Sequence, residues 1–205
     1  MSSALFSQLE PLCARAEAGT IVAVCESAEL ELAHELLSSQ DSATLYKLQM
    51  LGYLLDGQME AARFLWKRLP PSLREEPELA ALWGGVGKAS WARNTPAALK
   101  ALAARAWAPP LLPELVEALK HRLREEEWNT VGNAFSVIRP ETLAGRLGMT
   151  LADAKAAAAA RGWQLGDDGC IHPKKPAPSP GPMPGADTLR QLTQYVAHLT
   201  ADAGV

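Results

Sequence analysis

The side chains best suited to chemistry are few, and they do not converge. Four histidines, His34, His121, His172 and His198, lie scattered along the chain. A zinc-dependent hydrolase would need an HxH or HExxH pair to set two imidazoles on one face, and neither spacing occurs. Cys13, Cys25 and Cys170 form an odd set without a CxxC step, so they suggest neither a disulfide framework nor a tetrahedral thiolate site. The carboxylates Glu75-Glu76 and Glu125-Glu126-Glu127 could do acid–base work only inside a pocket, and they read instead as solvated faces and turns. GxSxG elbows, GxGxxG turns and GxxxxGKS loops are all missing. The expectation is therefore no catalytic, cofactor or metal site, with reduced and partly buried thiols.

The elements that would carry these residues are mostly helical. The chain has 205 residues, 48% of them hydrophobic and 21% charged, a composition that supports a packed fold. A formal net charge of −3 gives no broad basic face, which argues against nucleic acid as a partner. No run approaches the ~20 apolar residues of a membrane span, and MSSALFSQLEPLCARAEAG lacks the basic start and apolar core of a secretory signal. A place in the cytoplasm and nucleus, away from membranes, is expected.

From Ser3 to about Arg105 apolar residues return at helical steps. Leu45, Leu48, Leu51 and Leu55 form one face, and Asp56-Gly57 marks a tight turn. Met59, Ala62, Phe64, Leu65, Trp66 and Leu69 fill the next helix, which Pro70-Pro71 ends. Phe64, Leu65 and Trp66 span so wide an arc that this helix should need cover on more than one side. Leu79, Leu82, Trp83, Val86 and Trp91 suggest a further helix, followed by one carrying Ala98, Leu99, Leu102 and Trp107. The spacing of the two pairs resembles that of stacked helical hairpins.

After Pro109-Pro110 the pattern predicts a helix over 111–123, a bend at Arg124 to Glu127, another helix over 128–135, and a short strand at Val137-Ile138. Pro140 opens a helix with Leu143, Ala144 and Leu147 inside and Gly148 at its end. Thr150, with Asp153 three residues on, caps a second helix that runs to Ala160. Trp163 to Leu165 and Cys170 to His172 are strand candidates around the turn Gly166 to Gly169. Helix, helix and two-strand wing make the plan of a winged helix. Its second helix carries an alanine run, Ala156 to Ala160, with Lys155 and Arg161 as its cations, too few for a DNA-recognition helix. KKPAPSPGPMPGA reads as an extended tether, and Leu189, Leu192, Val196 and Leu199 then form a coiled-coil-like seam. That last helix could fold onto this chain or join helices of other subunits, and its spacing favours the second.

Helical repeats leading into a winged helix resemble the PCI-domain family, shared by subunits of the proteasome lid, the COP nine signalosome and translation initiation factor three. The likeness rests on ARFLWKRLPP, ELAALW with Trp91, GMTLADA with RGW, and LTQYVAHL, and it is strongest toward the signalosome. It implies an all-α helical-repeat domain (1–108), the winged-helix part of a PCI domain (109–175), a proline-rich linker (176–186) and a C-terminal docking helix (187–201). It further implies a non-catalytic scaffold subunit of a complex that removes Nedd8 from cullins and so regulates cullin–RING ubiquitin ligases. The implied partners are other PCI-domain subunits. They would be met along the wing edge by Trp163, Leu165, Cys170 and Ile171, and in a helical bundle by Leu189, Leu192, Tyr195, Val196 and Leu199. A lid or initiation-factor subunit is the alternative within the fold, and a winged-helix nucleic-acid regulator is the alternative outside it.

Overall fold

The computed structural model describes residues 2–32, 39–107, 111–166 and 169–175, together with Thr193 and Val196. The chain divides into two compact units, Met1–Lys174 and Lys175–Val205. In the second, Thr193 and Val196 are both helical; the expected tether and most of the terminal seam lie outside the described residues.

Among its described residues the first unit is mostly helical, with one small hairpin near its end. Helices α1 (Ser2–Ala14), α2 (Ala18–Leu32), α3 (Ser39–Asp56) and α4 (Met59–Arg68) come first. Short α5 (Pro71–Arg74) and α6 (Pro77–Ala81) follow, then a π-helical turn (Leu82–Gly87) that runs on into α7 (Lys88–Trp91). Next come α8 (Thr95–Ala103) and α9 (Leu112–Ala134), then α10 (Pro140–Leu147) and α11 (Leu151–Ala160), and finally strands β1 (Gln164–Leu165) and β2 (Ile171–His172).

Helix α3 is the hub, packed by α2, α4, α6 and α9. The expected stripe names Leu45, Leu48 and Leu51 correctly, and enclosure on several sides buries Met50, Tyr53 and Leu54 as well, leaving Leu55 half-buried. Two polar side chains are buried with them. Lys47 Nζ lies 2.7 Å from both Glu76 Oε1 and Glu78 Oε2. Gln49 donates to Glu29 Oε2 at 3.1 Å, while the Tyr53 hydroxyl donates to Glu26 at 2.6 Å and so helps fasten α3 to α2.

Gly57 makes the turn after α3 at φ 78°, a conformation that side chains resist. Arg122 of α9 reaches the end of α3 and donates to the carbonyls of Leu54, at 3.1 Å, and Leu55, occupying helix-end acceptors that have no partner within α3. Helix α4 folds back on α3 and packs against the π turn. Leu65 and Ala62 are buried as expected, but Phe64 is 60% exposed. The expected cover reaches Trp66 only in part, through a stack on Trp83 with ring centroids 6.4 Å apart. α4 packs chiefly against α3 and the π turn, and neither covers Phe64.

Trp107, expected on the helix with Ala98, Leu99 and Leu102, lies past the end of α8, where it is buried and its indole N–H donates to the Leu102 carbonyl at 3.0 Å. The single helix expected through Leu79, Leu82, Trp83, Val86 and Trp91 is interrupted before its last member. Leu79, Leu82, Trp83 and Val86 are buried, whereas Trp91 is 45% exposed. The π turn lies between them. One extra residue in a turn rotates everything after it by about 100° relative to an uninterrupted α-helix, which swings Trp91 out of the core. Its glycines allow the close packing there: a Cβ on Gly87 would stand 2.5 Å from the Trp83 ring, and one on Gly85 would stand 2.9 Å from Ala101 Cβ.

The bend expected at Arg124 to Glu127 is absent, because α9 is one continuous helix of 23 residues. The charges are spread around it rather than massed at a turn. Arg122 pairs with Glu126 one turn on at 2.8 Å, a spacing that supports a helix. Glu127 faces inward, 4% exposed, and accepts from Arg146 of α10 at 2.5 Å. Continuity gives α9 a structural task. Leu112, Leu115, Val116, Leu119 and Leu123 belong to the large core formed with α1–α8, and Trp128 and Val131 belong to a smaller one.

Candidate functional site

That smaller core holds up the region expected to meet partners. Pro140 stands at the first turn of α10, and Gly148 ends it in the left-handed region at φ 59°. The Thr150 hydroxyl oxygen accepts from Asp153 N at 3.2 Å and so starts α11, as its sequence indicates. Strands β1 and β2 pair antiparallel, Gln164 with His172 and Leu165 with Ile171. Of the strand expected at Val137-Ile138, Ile138 alone pairs: it exchanges backbone hydrogen bonds of 2.9 and 2.8 Å with Ile171. Strand β2 therefore has a neighbour on each side, and among the described residues β1 has β2 alone.

The wing residues divide by burial. Trp163 is 9% exposed and meets Trp128 edge to face, with ring centroids 4.8 Å apart. Ile171 is buried in the same cluster with Ile138, Leu143 and Leu147. Cys170 is half-buried, and Leu165 on the outer strand is 59% exposed. Val196 is helical and 58% exposed, while Leu189, Leu192, Tyr195 and Leu199 lie outside the described residues.

Charge fastens this region to α9. Arg161 caps the Trp128 face at 4.7 Å and pairs with Glu125, and Arg146 lies 5.6 Å from the Phe135 ring while holding Glu127. One of the two cations of α11 is thus engaged within the protein, and most of the alanine run is exposed with nothing to offer a base edge. Sequence reasoning misses Arg122 and Arg146, and it places Glu127 on a solvated turn rather than inside. Only Glu127 carried a signal, since it continues the step of four from Leu123 to Val131 and so falls on the inner face of α9.

The rest of the described surface offers little chemistry. A cleft of about 370 Å³ between α3, α8, α9 and α10 is lined by Arg93, Arg122, Arg146, Glu126 and Glu127, and neither a histidine nor a cysteine lines it among the described residues. Two of those arginines are already paired with the two glutamates. No group of three or more His, Cys, Asp or Glu side chains among the described residues could hold a metal ion. Burial pushes the Cys13 thiol up to about 11 and the Cys25 thiol up to about 12, the reverse of what a nucleophile needs. No helix among the described residues is long and apolar enough to cross a membrane.

Comparison with known proteins agrees with the geometry. Residues 40–182 match the model of the CSN8/PSMD8/EIF3K family. The chain is 34% identical to "COP9 signalosome complex subunit 8" of Danio rerio over 85% of its own length and 90% of that protein. It is 32% identical to the protein of that name from Xenopus tropicalis, covering 85% of the chain and 89% of the relative. For Arabidopsis thaliana the identity is 29% over 87% and 90%. With the family model spanning most of its helices and relatives matching it nearly end to end, the chain belongs to the CSN8/PSMD8/EIF3K family.

Proposed function

We propose that this protein is a non-catalytic assembly subunit of a COP9 signalosome, the complex that removes Nedd8 from cullins. The observation that carries the reading is the near full-length likeness to proteins bearing the name of that complex's subunit 8. The same likeness favours the signalosome over the proteasome lid and initiation factor three. Its role is to hold neighbouring PCI-domain subunits, in the cytoplasm and nucleus, while catalysis belongs to another subunit.

Within this reading, residues 1–108 are the helical repeats and 109–175 the winged-helix part of a PCI domain. Support comes from the order helix, helix, hairpin and from the Ile138–Ile171 bridge, which adds a short third strand. The outer side of β1 is the docking edge. A neighbour's strand adds there through main-chain hydrogen bonds and packs on Leu165. Trp163 and Ile171 support that edge from beneath, and Cys170 flanks it at the turn. Beyond the linker at 176–186, the helix at 187–201 supplies Leu189, Leu192, Tyr195, Val196 and Leu199 to a shared bundle.

Two variants test the two contacts. Leu165→Asp at the edge, and Leu192→Asp with Val196→Asp in the terminal helix, are each expected to leave the melting temperature of the isolated chain unchanged and to reduce its incorporation into the complex. Normal incorporation of either would remove that contact from the account.

A further inference from the structure

We propose that Arg63, Phe64 and Lys67 of α4, with Lys88 and Trp91 of α7, form a docking surface for an acidic segment of a partner protein that carries an apolar side chain. The inference stands on this face alone and does not depend on which complex the chain joins.

Two large aromatics are left outside the core, Phe64 at 60% and Trp91 at 45% exposure. The second is held there by an irregular element, since the π turn breaks the helical phase that would have turned Trp91 inward. Turns of this kind are frequently retained at functional sites. Arg63 connects the two helices, its guanidinium 5.0 Å from the centre of the Trp91 ring. That contact holds a planar donor group in place before any partner arrives. Lys67 follows Arg63 by one turn of α4, and Lys88 precedes Trp91 by one turn of α7, so each shares a face with its neighbour.

The cations on this face are not neutralised by carboxylates of the described residues. Arg63, Lys67 and Lys88 have no carboxylate partner among the described residues, whereas Lys47, Lys120, Arg122, Arg146 and Arg161 all do. Glu60, one turn before Phe64, is the carboxylate on this side of α4. Cations around an exposed Trp and Phe match an acidic peptide with an apolar anchor, and Trp and Arg are the side chains enriched at the energetic centres of interfaces. A nucleic acid fits less well. Its extended charge would meet a chain of net charge −3, whereas a short acidic segment meets the local field, which is screened beyond about 8 Å.

The test is fluorescence anisotropy of the full chain with a fluorescein-labelled, glutamate-rich peptide bearing one central phenylalanine, at about 50 mM salt. Lys67 and Lys88 are exposed, so Lys67→Glu with Lys88→Glu leaves the core intact. The expected result is binding by the natural chain that weakens by about tenfold or more in the charge-reversed variant. The reversed variant should in turn bind the lysine-rich counterpart of the peptide, and Phe64→Ser with Trp91→Ser should weaken the original pair. Absence of binding by the natural chain, equal binding by the charge-reversed variant, or a single-stranded RNA bound as tightly as the peptide would each overturn the proposal.

Discussion

Lys47 shows how much one buried side chain can depend on distant sequence. Its ammonium is held by Glu76 and Glu78, and together they tie α3 to α6. Burial alone would lower its pKa, but the two carboxylates outweigh burial and the net displacement is upward from 10.5. The stability this contact contributes is therefore fully present below pH 10.5 and is lost as the pH climbs through the raised value. Lys47→Met keeps the length and leaves two carboxylates without their cation, which should cost about 3–5 kcal/mol in a denaturant melt at neutral pH. A second expectation concerns the thiols. Cys13 and Cys25 are buried and remain protonated at pH 8, so an alkylating reagent should modify half-buried Cys170 first, as peptide mass mapping would show. Leu48, Leu65 and Leu79 could be recognised as core because their periodicity is local. Lys47 and Gln49 could not be, because their burial depends on partners far along the chain, and polar side chains in periodic helices otherwise read as solvated.

At the scale of elements, caps and turns were the most legible features. Pro140, Gly148, Thr150 with Asp153, and Gly57 each act through a few adjacent residues, and the structure uses all of them as their types require. Helix continuity is less legible. The run of charges at Arg124 to Glu127 suggests a bend, yet Arg122 and Glu126 form a helical pair and Glu127 finds Arg146. The spacing of Leu79 to Trp91 suggests one helix, but at Leu82–Gly87 three glycines and close packing favour a wider turn. Gly87→Ala tests the π turn. Its added Cβ would press on the buried Trp83 ring at 2.5 Å, so a loss of about 1–3 kcal/mol in thermal or chemical unfolding is expected. An unchanged transition would mean the turn relaxes to a regular helix at no cost. The wing strands are legible in the sequence but their burial is not, because two-residue strands are too short to display the alternation that separates Ile171 inside from Leu165 outside.

For the first unit as a whole, the division of labour follows from α9. Its first half completes the helical core, its second half carries the smaller core behind the wing, and salt links from Glu125 and Glu127 hold α11 and α10 against it. Among the described residues this body offers an exposed strand edge at Leu165 and open helix faces, features that the proposed assembly role would use. The measurement that tests this most directly is purification of the tagged full chain from its native cells, with the co-purifying proteins identified and quantified by mass spectrometry. The account predicts the other signalosome subunits in near-equal amounts. Recovery of proteasome-lid or initiation-factor subunits in their place, or of the chain alone, would contradict it.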